Sequence, residues 1–183
     1  RSDLDYIKVI AGIDGDAQGF VSIYIPESVK EKMQIKVGGV VLFDMYDYIV
    51  DRIGDGTSLN EFRDIINSIF DYVNNNEAIR AALEKSGFNM DALETILNYI
   101  DEIPELDLNV KIYLDKVPTN AGAYLMFAVS TDTNYTISAD ASYIIIKPQS
   151  STEDTTIELR FRNEMEQGEE GLQYLSYEDA QEF

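Results

Sequence analysis

The sequence predicts an α+β fold in which a block of helices interrupts a set of β-strands. Apolar residues alternate with polar ones before residue 43 and again after residue 104, as in half-buried strands. Between these limits they recur at every third or fourth residue, as on the buried face of a helix. Strands on both sides of a helical block favour one β-framework with a helical insertion. Two consecutive domains would give the same order of elements and are the alternative.

Residues 1–43 are expected to supply the first strands of the framework. Runs of β-branched and aromatic residues predict strands at 5–12, 20–25 and 33–37. A turn-rich segment separates the first two strands, Pro26 ends the second, and the pair Gly38 and Gly39 ends the third.

Residues 44–104 are expected to form an insertion of three to four helices. Leu42 begins an apolar stripe of helical spacing, with Asp44 as a candidate N-cap and the end of the helix near Gly54. Ser58 with Glu61 has the form of a capping box before a long apolar stripe. Two further helices are predicted at 77–85 and from about 89 to 100, before Pro104.

Alternation returns after Pro104, so residues 105–148 are predicted to be the closing strands. The main runs are 108–114, 124–130 and 142–147. Residues 149–183 begin as a linker and carry many acidic side chains. They are interpreted as the start of a following module or as an extra strand.

The composition restricts the chemistry of this chain. The 183 residues carry a formal net charge of -20, which disfavours nucleic acid and anionic membrane surfaces as partners. Histidine and cysteine are absent, so zinc sites built from them and Cys-His or Ser-His nucleophiles are excluded. Of the catalytic chemistries considered, only one based on carboxylates remains. We predict that the chain is not an enzyme, and that a calcium ion is its one candidate cofactor.

A short motif near the closing strands carries a family resemblance. Asn120, Gly122 and Tyr124 have the Asn-x-Gly-x-Tyr form of a tyrosine corner, in which the hydroxyl satisfies an upstream backbone group. The longer stretch 117–148 resembles the closing half of the immunoglobulin-like modules repeated in bacterial surface proteins, the MBG-type modules in particular. This resemblance implies an immunoglobulin-like β-sandwich interrupted by the helices.

The resemblance also implies a function and a location. Such modules are extracellular, non-catalytic structural or adhesion units of bacterial surface or secreted proteins. The implied partners are neighbouring modules of the same polypeptide and a glycan or host-protein ligand, without insertion into a membrane. Two alternatives stay open: a carbohydrate- or protein-binding module with its site on the helical insertion, and a carboxylate-dependent hydrolase.

Strand alternation at 124–130 makes a prediction about packing. If Tyr124, Met126 and Ala128 face the sandwich interior, then Leu125, Phe127 and Val129 must face outward. A row of large apolar side chains in water is unfavourable, so the inserted helices are expected to cover it. A reversed register or a strand buried on both faces is the alternative.

Three groups of side chains are candidates for a site. Asp14, Asp16 and Gln18 partly match a calcium-binding loop, although an acidic hairpin loop explains them as well. Asp44, Asp47, Asp51 and Asp55 share helical spacing, which suits a solvated face or paired carboxylates. Tyrosines in or beside the helices suit either a binding surface or the edge of the core: Tyr46, Tyr48, Tyr72 and Tyr99.

Overall fold

The computed structural model describes residues 6–14, 18–102, 109–132, 139–146, 156–161 and 173–176. Five helices lie in the middle of the chain. They are α1 (Glu27–Lys32), α2 (Met45–Ile53), α3 (Leu59–Asn74), α4 (Glu77–Ser86) and α5 (Asp91–Asp101).

Ten strands are described, and eight of them form one mixed sheet. The strands are β1 (Tyr6–Asp14), β2 (Gly19–Tyr24), β3 (Gln34–Val37), β4 (Val40–Asp44), β5 (Thr57–Ser58), β6 (Val110–Leu114), β7 (Gly122–Ser130), β8 (Ala139–Ile146), β9 (Thr156–Phe161) and β10 (Gln173–Ser176). The order in the large sheet is β10-β9-β8-β7-β1-β2-β6-β5, and β3 pairs with β4 in a separate hairpin. The predicted α+β class is therefore confirmed. The hydrogen bonds among the described strands do not divide them into the two sheets of an immunoglobulin-like sandwich.

Strands from both sides of the helices meet in the middle of this sheet. β1 pairs antiparallel with β2 and with β7, and β6 runs parallel to β2. The backbone N–H of Asp115 donates to Ile23 at 2.9 Å and that of Lys116 to the Ser22 hydroxyl at 2.9 Å, so the end of β6 is fastened to β2. The sheet therefore needs residues on both sides of the helical segment.

One face of the large sheet carries the main core. Ile7 and Val9 of β1, Ile23 of β2 and Ile112 of β6 are buried there, together with the apolar stripes of the helices. Long apolar faces of α3 and α5 supply much of this packing, as the helical spacing predicted.

The predicted cover over β7 is confirmed for Phe127 and Val129, whereas Leu125, the third residue of the predicted row, is only half-buried. Phe127 and Val129 are buried in the helix-packed core, and the Phe127 ring lies 5.2 Å from the ring of Tyr99 on α5, centroid to centroid. Tyr124 belongs to the opposite face and is also buried, while Met126 and Ala128 on that face are half-buried. The two faces of β7 thus pack differently, and alternation correctly assigned Phe127 and Val129 to the helix-packed face, while a sandwich interior on the opposite face stays a prediction.

The predicted helix ends are confirmed by their capping contacts. Asp44 accepts a hydrogen bond from the Asp47 backbone at 3.0 Å, and Ser58 accepts one from the Glu61 backbone at 3.1 Å. Gly87 follows α4 with φ of 80°, a left-handed conformation that glycine adopts without steric cost.

Two local predictions were wrong. The third strand, predicted at 33–37 as part of the main framework, instead pairs with β4 in the separate hairpin. Leu42, counted in the apolar stripe of the first predicted helix, lies in β4 instead, whereas α2 begins at Met45, directly after the predicted N-cap Asp44. The strand was missed because Val40 to Phe43 is a continuous apolar run without alternation, so periodicity gave it no strand signature.

Candidate functional site

The tyrosine corner forms the hydrogen bond that the motif requires. The Tyr124 hydroxyl donates to the backbone carbonyl of Asn120 at 2.9 Å. Gly122 begins β7, where it lies opposite Asp14 of β1 and Ile146 of β8. The Tyr124 ring packs edge-on against Phe20 of β2, with 5.7 Å between centroids. These contacts give the motif a structural role at the start of β7.

The calcium candidate is only partly within the described residues. Asp14 ends β1, and Asp16 lies outside the described residues. The Gln18 amide donates to the backbone carbonyls of Asn109 and Gly19, so it links β2 to the start of β6. Within the described ranges no three Asp, Glu, His or Cys side chains are grouped as metal ligands. The calcium site stays a prediction.

The acidic row, which consists of Asp44, Asp47, Asp51 and Asp55 in and beside α2, is mostly exposed to solvent. Asp47, Asp51 and Asp55 are exposed, whereas Asp44 caps the helix and also accepts a hydrogen bond from the Gln34 amide at 3.2 Å. The negative charge of Asp44, and to a smaller extent that of Asp51, raise the pKa of Asp47 above its ordinary value. The row therefore places mutually repelling negative charge directly after β4.

A polar cluster joins α1, α2 and the end of β6. The Tyr46 hydroxyl donates to Asp115 at 3.4 Å, and Lys30 Nζ lies 4.0 Å from Asp115 and 3.3 Å from Glu27. Burial and the charge of Asp115 raise the pKa of Tyr46, against the opposing effect of Lys30. Burial lowers the pKa of Lys30, but Tyr46, Glu27 and Asp115 outweigh it and the net change is upward. Both groups therefore hold their protons more tightly in the folded chain.

The most unusual surface is the β3–β4 hairpin. Four apolar side chains stand in water there, and we call them the hairpin patch: Val37 is 49% exposed, Val40 62%, Val41 44% and Leu42 45%. The turn between the strands consists of Gly38 and Gly39, both with positive φ, and a Cβ atom added at either glycine would meet nothing within 4 Å. The tip of the hairpin thus projects into solvent.

The base of the hairpin, in contrast, is firmly anchored. Ile35 is fully buried, and the Met45 backbone donates to Met33 at 3.0 Å across the two ends of the hairpin. The pairing shifts between Ile35 and Lys36, so Leu42 is an extra residue without a partner on β3. Such a bulge twists the strand locally. An anchored base holds the apolar tip in a defined position.

An aromatic cluster extends the hairpin patch toward α2 and α3. The Phe43 ring lies 4.8 Å from Tyr72 and 5.7 Å from Tyr48, and the Arg52 guanidinium lies 3.4 Å from the centre of the Tyr48 ring. Tyr72 is 44% exposed, whereas Tyr46, Tyr48 and Tyr99 are half-buried against the core. Of the four tyrosines singled out in the sequence, Tyr72 is thus the most exposed.

Sequence reasoning did not find the hairpin patch, although one signal was available. The pair Gly38 and Gly39 between two apolar runs is a strong indication of a two-residue hairpin turn. Periodicity assigned Leu42 to a helix, and this hid the second strand.

Comparisons with known proteins give no relative: the chain matches no protein-family model, no curated protein and no solved structure. Over the residues that the structure describes, no helix has both the length and the apolar character needed to cross a lipid bilayer.

Proposed function

We propose that this chain is a non-catalytic module of a bacterial surface or secreted protein, and that its hairpin patch binds a partner protein. The large sheet serves as the scaffold, and the segment between β2 and β6 carries the binding surface. An immunoglobulin-like, MBG-type arrangement of the strands around 117–148 is part of this proposal. The hydrogen bond from Tyr124 to Asn120 supports it.

One observation carries the binding function. Val37, Val40, Val41 and Leu42 are 44–62% exposed on a projecting and anchored hairpin. Full burial of one such side chain is worth about 1.5–3 kcal/mol, so covering this surface supplies several kcal/mol of binding free energy. Val37 and Val40 are paired on one face of the hairpin and Val41 lies on the other. Exposed apolar side chains grouped on one projecting hairpin in this way are typical of interaction sites in soluble proteins.

The negative charge beside the hairpin patch favours a partner with a basic surface. The acidic row of α2 begins at Asp44, the last residue of β4, and continues with Asp47 and Asp51. The chain as a whole carries a formal net charge of -20. A partner surface that combines apolar side chains with lysine or arginine would bury the hairpin patch and relieve the repulsion on α2. A second copy of this chain would bring like charges together.

A direct test titrates the full chain with two synthetic ten-residue peptides, one of alternating lysine and valine and one of alternating glutamate and valine. We expect the basic peptide to bind and the acidic one not to bind. The variant V40S/L42S should weaken binding about tenfold, because two anchoring contacts are lost. Val40 and Leu42 are already exposed to solvent in the parent chain, so the melting temperature of the variant should differ from that of the parent by no more than about 2 °C.

The matched control is Val117→Ser, which removes a half-exposed valine after β6 and should leave binding unchanged. Equal binding of both peptides, or equal binding by V40S/L42S, would contradict the proposal, as would binding of neither peptide. If sedimentation shows a stable dimer that the variant V40S/L42S does not form, the partner of the hairpin patch is a second copy of this chain and not another protein. Fractionation of the source cells tests the location, since a cytoplasmic protein would overturn the surface assignment.

A further inference from the structure

A second concave surface lies beside the hairpin, between α1, β3 and α4. It is a cleft of about 380 Å³, and three of its eight lining residues are lysines: Lys32 of α1, Lys36 of β3 and Lys85 of α4. The whole chain has only 14 lysines and arginines, against 34 acidic residues. Positive charge is therefore concentrated in this cleft of a strongly negative molecule.

The lysines of the cleft are only partly compensated. Glu31 is the single acidic lining residue, so the lining residues carry a formal charge of +2, with Asp44 hydrogen-bonded to Gln34 outside the lining. Within the described residues, the exposed side chains of Lys36 and Lys85 form no ion pair or hydrogen bond. Because these three lysines come from three packed elements, their charges are held around one concavity instead of along one solvated helix face.

The rest of the lining supplies two hydrogen-bond acceptors among surface that is mainly aliphatic. Gln34 uses its amide nitrogen on Asp44, which leaves its amide oxygen as an acceptor, and the Glu31 carboxylate is a second acceptor. Ala82 is the sole apolar lining residue and no aromatic ring lines the cleft. The volume lies within the range of roughly 300–1,000 Å³ that small-molecule sites occupy, but the cleft is open and would enclose a ligand only in part.

We propose that this cleft binds a saccharide that carries a carboxylate or phosphate group. Lys36 and Lys85 would hold the anionic group, while Gln34 and Glu31 would accept hydrogen bonds from sugar hydroxyls. This site is separate from the hairpin patch, although Lys36 and Val37 are neighbours on β3. The two proposals are tested by different variants, so one can fail without the other.

Calorimetric titration of the full chain tests the proposal with four probes: glucuronic acid, glucose 6-phosphate, glucose and inorganic phosphate. We expect at least one of the two charged sugars to bind about tenfold more tightly than glucose and than phosphate, because it engages both lysines and acceptors. Its affinity should fall as salt is added, since exposed charges are screened.

The variant K36Q/K85Q should weaken that binding about tenfold. The control K111Q/K116Q removes the same charge from exposed lysines outside the cleft and should bind as the parent does. A measurement on the unaltered chain avoids any folding defect: the bound charged sugar should protect Lys36 and Lys85, but not Lys111, from chemical acetylation.

Four results would overturn the proposal. They are equal affinity for glucose, equal affinity for inorganic phosphate, unchanged binding in K36Q/K85Q, and no binding of either charged sugar at about 10 mM.

Discussion

Gly12 of β1 and Tyr124 of β7 are cross-strand partners, and the Tyr124 ring lies against the backbone of Gly12. A Cβ atom added at Gly12 would stand 2.9 Å from Cδ1 of the Tyr124 ring and 2.2 Å from the carbonyl oxygen of Ala123. These two residues are opposite one another in the antiparallel pairing of β1 and β7. Because Gly12 has no side chain, the Tyr124 ring can occupy the space where a Cβ atom would stand.

Replacement of Gly12 by alanine should destabilise the fold. The added methyl group meets backbone atoms that cannot yield without moving β7, and such overpacking costs about 1–3 kcal/mol. Urea unfolding measures the loss. Gly19→Ala is the comparison, because its nearest contact is 3.0 Å and the strain is smaller. Equal stability of the Gly12→Ala chain and the parent would contradict the close packing.

The hydroxyl of Tyr124 should contribute measurably to stability. Tyr124→Phe keeps the ring but removes the 2.9 Å hydrogen bond to Asn120, at a cost of about 1 kcal/mol in the free energy of unfolding. Tyr113→Phe is a matched control on the same face of the sheet, since the Tyr113 hydroxyl makes no hydrogen bond within the described residues. If both variants lose the same stability, the corner has no special role.

Truncation of Phe127 tests the packing of the helices on the sheet. Phe127 is 1% exposed and touches Tyr99, so Phe127→Ala should cost about 3–5 kcal/mol through lost contacts and a cavity. Phe127→Leu keeps most of the volume and should cost less than half of that. Guanidinium unfolding of the two variants gives both values, and a small loss in Phe127→Ala would place the helices elsewhere.

The cluster of Lys30, Tyr46 and Asp115 predicts a loss of stability in alkali. The folded chain raises the pKa of Lys30 above 10.5 and that of Tyr46 above 10.0. Their contribution is complete below those ordinary values and disappears as the pH rises through the folded-state values. Urea unfolding from pH 8 to pH 11 should therefore show a steeper decline in the parent than in Tyr46→Phe. Tyr72→Phe, outside this cluster, should follow the parent.

Much of the fold was predictable because its long elements carry strong periodic signals. The stripe from Phe62 to Val73 and the cap at Ser58 define α3 without ambiguity, and alternation at 124–130 identified Phe127 as a helix-facing residue. α1 was not predicted. It spans six residues directly after Pro26, which is too short for a helical period to show.

The candidate sites were less predictable because they depend on distant residues. Lys32, Lys36 and Lys85 meet in the cleft only because α4 packs on β3, and no local motif records that contact. At the hairpin, the extra residue Leu42 breaks the alternation that would have revealed β4. In the tyrosine corner, by contrast, Asn120 and Tyr124 are four residues apart, so the sequence alone could place the hydrogen bond.

The parallel pairing of β2 with β6 has a consequence for how the protein is made. Gln18 and Asn109, which are joined beside this pairing, are 91 positions apart in the chain. During synthesis, β1 and β2 leave the ribosome long before β6 and β7 exist, with Val9 and Ile23 still uncovered. Contacts across such separations form late and slowly. The nascent chain should therefore pass through an aggregation-prone stage that a chaperone can shorten.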